Sequence, residues 1–349
     1  MKIFLTFIFK NESQVLERML KSVIGLVDGC VCTDTGSTDN SKEIIQAFFD
    51  SVGKPCTILD YPKEKYGSEM NFGEWRNYAL PSLKDKCDMV YWMDCKEELV
   101  FSETFNIEEF KDKAKDIDLM NMIVKTDGEP TSNRHAFFNI KKNFYWKYPL
   151  HESVMCKDYL DEKNVYYIKE EDLHIKRRLD GFTWTSQTRI QKYTSHAEFL
   201  ERYIEKGKGD SRCMYYCANS WGSAGDYKKA LKWYRKRASL LKEENFEETY
   251  YAQFQVGNLC AILKEPTTKC IKEYLKCSAI CDFRAEHFLS IIKLLQNEKR
   301  WKESFPISKY ACEKFHGKLP MHHSLLLDRD IYEYKLLDAF KLDSEMIMI

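Results

Sequence analysis

The chain has 349 residues, of which 44% are hydrophobic and 14% are aromatic. This content is enough to bury a sizeable core and excludes a mainly disordered chain, while only 14 Gly and 8 Pro exclude a collagen-like or linker-like one. The 54 Lys and Arg balance the 54 Asp and Glu, so there is no strong overall positive field to favour nucleic acid as a partner.

The first half of the chain predicts alternating strands and helices. Ile3–Phe9 predicts a buried strand rather than a secretory signal, because no small-residue cleavage site follows it. The predicted strands are Ile3–Phe9, Val27–Thr33, Cys56–Leu59 and Met89–Met93, with helices through Val15–Val23, Ile44–Phe49 and Phe72–Leu83. Weaker signals at Leu119–Lys125, Ala136–Ile140 and Val165–Ile168 indicate further strands. Such alternation is typical of a parallel, Rossmann-like α/β sheet.

The second half predicts helices in pairs. Strand signals stop at about residue 182, and Gly207-Lys208-Gly209-Asp210 is interpreted as a hinge into a helical array. The predicted pairs are Arg212–Ala224 with Tyr227–Leu240, Glu248–Leu263 with Thr268–Cys281, and Arg284–Asn297 with Trp301–Phe315. Their spacing is close to the tetratricopeptide period of about 34 residues. We therefore expect two domains, an α/β domain over 1–178 and an all-α, tetratricopeptide-like domain over 179–349.

The cysteines and the apolar runs bear on the compartment. No stretch has the roughly 20 apolar residues that a membrane helix needs. The 13 Cys are scattered, and neither close pair, Cys30/Cys32 or Cys213/Cys217, has a His or a further Cys at zinc spacing. The sequence therefore predicts reduced thiols packed as small apolar groups, as in a cytoplasmic protein.

The strongest local motif is Val31-Cys32-Thr33-Asp34-Thr35-Gly36-Ser37-Thr38-Asp39-Asn40-Ser41, at the end of the second predicted strand. In an open parallel sheet, ligands bind at the carboxyl ends of the strands, where Asp34 lies. Its carboxylate can accept hydrogen bonds from a nucleobase or a ribose. The alternative is a turn that caps the next helix and has no ligand.

Other motifs accompany this turn in a definite order. Phe9-Lys10-Asn11-Glu12 follows the first strand, Arg76-Asn77 lies on a later helix, and Val90-Tyr91-Trp92-Met93-Asp94 is a strand that ends in an acid. Pro149-Leu150-His151-Glu152 and Asp172-Leu173-His174 come later. With the helical second half, this order resembles a family-2 glycosyltransferase of the GT-A fold that carries tetratricopeptide-like repeats.

The resemblance implies transfer, with inversion, of a sugar from a nucleotide-sugar to a hydroxyl on a glycan or a protein. The donor is expected to be a UDP-sugar such as UDP-glucose. Matched positions that hold the base and ribose are Asn11, Glu12, Asp34 and Thr35. Arg76 is the matched cation for the leaving diphosphate, whose negative charge grows in the transition state. Glu152 is the expected general base, with His151 as the alternative.

The strand-end motif departs from the family pattern D-x-D. It reads Asp94-Cys95-Lys96-Glu97, and an ammonium cannot ligate Mn²⁺ or Mg²⁺. In the preferred interpretation Asp94 still holds Mn²⁺ or Mg²⁺ as a cofactor, together with Glu97 or His174. In a second, Lys96 itself supplies the positive charge to the diphosphate, so that Asp94 and Lys96 line a metal-independent donor site. In a third, the site has degenerated.

The helical half is expected to hold a peptide, protein or glycan acceptor, or to mediate dimerisation. The main alternative to an enzyme is a binding scaffold built on a degenerate glycosyltransferase fold. A glycosyltransferase acting on nucleic acid shares the donor site, and the zero net charge argues against it.

Overall fold

The computed structural model describes residues 1–66, 69–127, 131–180, 188–240, 246–320 and 327–348. It divides the chain into two compact units, Met1–Thr188 and Arg189–Ile349. The first unit is α/β and the second is helical throughout the part described. The predicted fold class, an α/β domain followed by an all-α helical-repeat domain, is confirmed.

The α/β unit is built on one large sheet. Its strands are β1 (Ile3–Phe9), β2 (Gly29–Asp34), β3 (Cys56–Asp60), β4 (Met89–Trp92), β5 (Glu97–Phe101), β6 (Leu119–Thr126), β7 (Ser132–Asn139), β8 (Phe144–Lys147), β9 (Ser153–Cys156), β10 (Val165–Tyr167) and β11 (Leu173–Arg177). Within the described residues, nine of them form a sheet in the order β3-β2-β1-β4-β7-β6-β11-β5, with β10 also paired to β6. The other two, β8 and β9, form a separate antiparallel hairpin.

The four strands β3-β2-β1-β4 are parallel and form the Rossmann-like part of the sheet. Their order, 3-2-1-4, is that of a doubly wound nucleotide-binding fold. All six residues of β2 are buried, because helices or loops cover both faces of a central parallel strand. Beyond β4 the sheet becomes mixed, since β7 is antiparallel to β4 and β6, and β5 is antiparallel to β11.

Helices of the first unit pack by their apolar faces. They are α1 (Leu16–Val23), α2 (Ser41–Ser51), α3 (Lys63–Tyr66), α4 (Phe72–Asn77), α5 (Leu80–Leu83) and α6 (Ile107–Lys113). In α1 the buried residues Leu16, Met19, Leu20 and Val23 recur at the spacing of one helix face. The single helix predicted over Phe72–Leu83 is instead two short helices, and Pro81 lies in the first turn of the second.

The second unit consists of consecutive helices. They are α7 (Arg189–Glu205), α8 (Ser211–Ser223), α9 (Tyr227–Ala238), α10 (Phe246–Ile262), α11 (Thr267–Ile280), α12 (Glu286–Asn297), α13 (Trp301–Phe315) and α14 (Leu336–Met348), the last preceded by a π-helical turn at Ile331–Lys335. The three predicted pairs are present. The expected hinge at Gly207–Asp210 is wrong: α7 precedes it and packs on α8, so Gly207 ends a helix inside the unit and Asp210 caps the next.

Among the described residues, no helix has both the length and the apolar character that crossing a membrane would require. All 13 cysteines are free thiols.

Candidate active site

Three neighbouring parallel strands end at the same edge of the sheet. In the strand register, Phe9 of β1 lies beside Asp34 of β2, and Thr6 of β1 lies beside Trp92 of β4. The segments that follow these strands therefore emerge together, at the edge where open α/β sheets bind ligands. Five of the predicted site residues lie at or just beyond these strand ends: Asn11, Glu12, Asp34, Thr35 and Asp94.

Asp34 closes the turn after β2. Its Oδ1 accepts hydrogen bonds from the backbone N–H of Gly36 (3.1 Å) and from the N–H (2.8 Å) and hydroxyl (2.7 Å) of Ser37. Its Oδ2 lies 3.2 Å from Nζ of Lys42, and only 3% of the residue is exposed. Asp34 thus has the loop-closing role that the sequence left open, while its Oδ2 faces the Lys42 amine.

The segment after β1 is joined to this turn by hydrogen bonds. Oδ1 of Asn11, a residue with a left-handed φ of 55°, accepts from the N–H of Thr38 (2.7 Å). Thr35 donates its N–H (2.9 Å) and its hydroxyl (3.1 Å) to the carbonyl of Phe9. The N–H of Glu12 donates to the hydroxyl of Ser41, the first residue of α2 (3.0 Å). The two motifs therefore form one structural element at the sheet edge.

Arg76 is the central cation of the site. Its guanidinium is 5% exposed and donates from Nε to Oε1 of Glu152 (2.8 Å) and from Nη2 to Oδ1 of Asp94 (2.6 Å). Its Cζ lies 4.6 Å from the centre of the Trp92 ring. The third nitrogen, Nη1, is buried and has no acceptor among the described residues. A buried donor without a partner is the kind of group that a bound anion satisfies.

The helix that carries Arg76 is fixed to the segment that carries Glu152. Asn77 donates to the carbonyl of Trp146 and accepts from its N–H, both at 2.8 Å. Gly73 allows this close approach, because a Cβ there would lie 2.3 Å from the carbonyl oxygen of Tyr148. The motif Gly73-Glu74-Trp75-Arg76-Asn77 is therefore explained by backbone contact as well as by charge.

His151, the residue before Glu152, is exposed and has a left-handed φ of 53°. Tyr148 also has a positive φ, of 78°. Such backbone conformations cost about 1–3 kcal/mol each in non-Gly residues and are concentrated at functional loops. Of the two predicted bases, Glu152 forms an ion pair with Arg76.

Glu97 is buried and fully used in structural contacts. Its two oxygens accept from both terminal nitrogens of Arg134 (2.6 and 2.7 Å), from Nε of Arg177 (3.0 Å) and from the N–H of Asp94 (2.8 Å). The carboxyl is 0% exposed. Each oxygen accepts two of these four hydrogen bonds, so a divalent cation would have to compete with two donors to gain either oxygen of Glu97.

The structure does not bring Asp94, Glu97 and His174 together as a metal site. His174 lies on β11 beside Val100, and its Nδ1 is 3.2 Å from the carbonyl of Glu170. Among the described residues, one group of three His, Cys, Asp or Glu side chains is clustered closely enough to share an ion, and it consists of cysteines. Oδ1 of Asp94 is bound to Arg76, and Glu97 to two arginines. This donor set does not fit Mn²⁺ or Mg²⁺.

The charges around Asp94 are predominantly positive. Partial burial by itself raises the pKa of this carboxyl, but Arg76, Lys96, Arg134 and Arg177 together hold it well below its usual range. The sequence signalled Arg76 and Lys96, while Arg134 was not expected in the site. Arg134 lies just before a weakly predicted strand, and only the pairing of β7 with β6 and β4 brings it to Trp92, 4.3 Å from the ring centre.

Comparison with known proteins leaves the family open. No protein-family model and no curated protein matches the chain. A crystal structure of S. aureus TarS 1–349 in complex with UDP is similar over 100% of this chain and 91% of that one, at 11% identity and a TM-score of 0.38. YrrB, a TPR protein with an unusual peptide-binding site, is similar over 45% of this chain and 79% of that one, at 13% identity and a TM-score of 0.30. These TM-scores are too low to carry an argument about function.

Proposed function

We propose that the chain is an inverting glycosyltransferase that moves a sugar from a UDP-sugar to a hydroxyl of a glycan or protein. The observation that carries the proposal is the buried guanidinium of Arg76, held between Asp94 and Glu152 at the carboxyl edge of the sheet. One nitrogen of this group lacks an acceptor among the described residues. An anion and a reacting hydroxyl at this edge would meet a fixed cation and a carboxylate side by side.

The leaving diphosphate gains negative charge as the glycosidic bond breaks, so the site must present positive charge before the reaction starts. Arg76 and Lys96 are the groups assigned to this task, and Arg134 and Arg177 add to the field. The chain's own cations thus take the place that a divalent ion would have in a D-x-D site. This corresponds to the second of the three interpretations of Lys96.

Glu152 is assigned as the general base. Arg76 contacts its Oε1, which leaves Oε2 outside that ion pair. When a diphosphate binds Arg76, it weakens the ion pair between Arg76 and Glu152. The Glu152 carboxylate can then accept the proton of the attacking hydroxyl. Asn11, Glu12, Asp34 and Thr35 shape the edge that receives the nucleoside, and Oδ2 of Asp34, which also contacts Lys42, is the acceptor assigned to it.

The experiment is a panel of nucleotide-sugars screened by thermal shift, followed by assay of UDP release from the donor that binds. Ligand binding to the native state raises its stability by mass action, so the true donor stands out. We expect Glu152→Gln to keep donor binding and to lose transfer by about 10²–10⁴-fold, the usual contribution of a general base. Glu162→Gln, at an exposed position of the same unit, is the matched control and should behave as the unaltered chain does.

Two outcomes would contradict the proposal. If no nucleotide-sugar shifts the melting temperature and no UDP is released, the scaffold interpretation replaces it. If Glu152→Gln and Glu162→Gln transfer sugar equally well, another group is the base. The role of the helical unit in holding the acceptor stays a prediction; it requires variants there that lower transfer while donor hydrolysis is unchanged.

A further inference from the structure

Three cysteine side chains, none of them used by the site described above, meet on one face of the sheet. Cys30 and Cys32 are two residues apart on β2 and so point to the same face, and Cys56 of β3 lies beside Cys30 in the strand register. The three Sγ atoms all lie within 4.8 Å of one another. Local spacing did not reveal a third ligand for Cys30 and Cys32, because Cys56 is brought beside them by the pairing of β2 with β3.

The surroundings of these thiols are apolar on one side and accessible on the other. Cys30 is 1% exposed and Cys32 is 0% exposed, in the same core as Ile45 and Phe49 of α2. Cys56 is half-buried and lies on β3, the edge strand of the sheet. Local opening of an edge strand disturbs few contacts, so an ion can reach the sulfurs from the side of Cys56.

The number of sulfurs decides which coordination the cluster supports. Tetrahedral zinc needs a fourth ligand, and among the described residues no further His, Cys, Asp or Glu joins the three. Three bonds of about 2.3 Å to sulfur put the sulfurs about 4 Å apart in a trigonal plane, and closer together around a pyramidal centre such as trivalent arsenic. That separation lies inside the 4.8 Å limit observed, so small side-chain rotations suffice.

We propose that Cys30, Cys32 and Cys56 form a three-coordinate site that binds one soft, thiophilic ion per chain as a tris-thiolate. Thiolates select soft ions over hard ones. An apolar core also penalises net charge, which favours a trivalent ion because its complex with three thiolates is neutral. This site is independent of the proposed sugar transfer.

Arsenite is the probe that meets these requirements. Arsenous acid, As(OH)₃, exchanges its three hydroxyls for three sulfurs: three As–O bonds break, three As–S bonds form, and each hydroxide leaves as water with one thiol proton. Arsenic stays trivalent, so neither an oxidant nor a reductant takes part. The mass gain is one arsenic atom less three hydrogens.

The experiment is titration of the full chain with arsenite under a phosphine reductant, which keeps the thiols reduced without binding arsenic itself. We expect one arsenic per chain by native mass spectrometry, three sulfur neighbours by X-ray absorption, and a rise in the melting temperature of the α/β unit. Cys56→Ala removes the half-buried ligand and should lose the bound arsenic. Cys312→Ala, a half-buried thiol of the helical unit, should retain it.

The X-ray absorption measurement on the unaltered chain keeps the test decisive even if Cys56→Ala folds poorly. Two or fewer sulfur neighbours, no arsenic bound, or equal binding by Cys56→Ala and the unaltered chain would each overturn the proposal.

Discussion

Substitution of Glu97 by Gln tests whether this carboxylate is a structural partner of arginines or a metal ligand. Glu97 accepts two hydrogen bonds from Arg134, whose side chain is 10% exposed, and one from Arg177. A Gln amide would place an N–H donor against these donors and leave a buried guanidinium without its counter-charge. Removing one partner of a buried ion pair costs about 3–5 kcal/mol.

That cost converts into a measurable shift of the melting temperature. For a domain of about 150–250 residues, 1 kcal/mol corresponds to about 2–4 °C, so Glu97→Gln should lower the melting temperature of the Met1–Thr188 unit by about 6–20 °C. Glu98 is the matched control. It is the next residue on the same strand, is 21% exposed and pairs with Arg18 and Arg178. An ion pair as exposed as this contributes about 0–1 kcal/mol, so Glu98→Gln should shift melting by no more than about 4 °C.

The assay is differential scanning calorimetry of the full chain, which resolves the transitions of the two units, with and without Mn²⁺. A melting temperature for Glu97→Gln within about 2 °C of the unaltered chain would refute the structural role. So would a Mn²⁺-dependent stabilisation of the unaltered chain that is absent from Glu97→Gln, since this is the behaviour of a ligand.

Three further predictions concern other parts of the molecule. Gly73→Ala places a Cβ 2.3 Å from the Tyr148 carbonyl and should cost about 1–3 kcal/mol in urea unfolding, whereas Gly25→Ala, whose nearest contact is 3.7 Å, should be nearly neutral. UDP release should persist when EDTA is added, and complete loss that Mn²⁺ restores would contradict the assignment of Arg76 and Lys96. Burial lowers the pKa of His287 to about 3. Its contribution to stability is therefore complete above about pH 6.5 and is lost as the pH falls towards 3, so the helical unit should lose about 2 kcal/mol by pH 5. His287→Gln should flatten that part of the curve of unfolding free energy against pH.

Elements with local signals could be predicted from the sequence. The parallel strands β1, β2, β3 and β4 are short apolar runs with helices between them, and their bounds are close to those expected. The strands β5 and β11 were missed. Their pairing joins Glu97–Phe101 to Leu173–Arg177, more than 70 residues later, and a half-buried strand of this kind is held by its partner more than by its own pattern.

The residues of the candidate site also differ in how far the sequence could predict their contacts. Arg76, Asp94 and Glu152 were expected together because a resemblance linked three motifs that are distant in the chain, and the structure joins them by hydrogen bonds. Glu97 was expected on the metal because it follows Asp94 in sequence, but the chain folds so that Arg134 and Arg177 reach it first. Ion-pair partners that come from other strands cannot be recognised from the spacing of residues along the sequence.

The two hydrogen bonds between Asn77 and Trp146 couple the positions of Arg76 and Glu152. They connect the helix that carries Arg76 to the segment that leads to Glu152, so a shift of one is expected to shift the other. Under the proposed function, a substitution that displaces Arg76 should therefore also slow proton removal by Glu152, and the reverse should hold. Substitutions near Arg76 and substitutions near Glu152 should therefore produce similar kinetic defects.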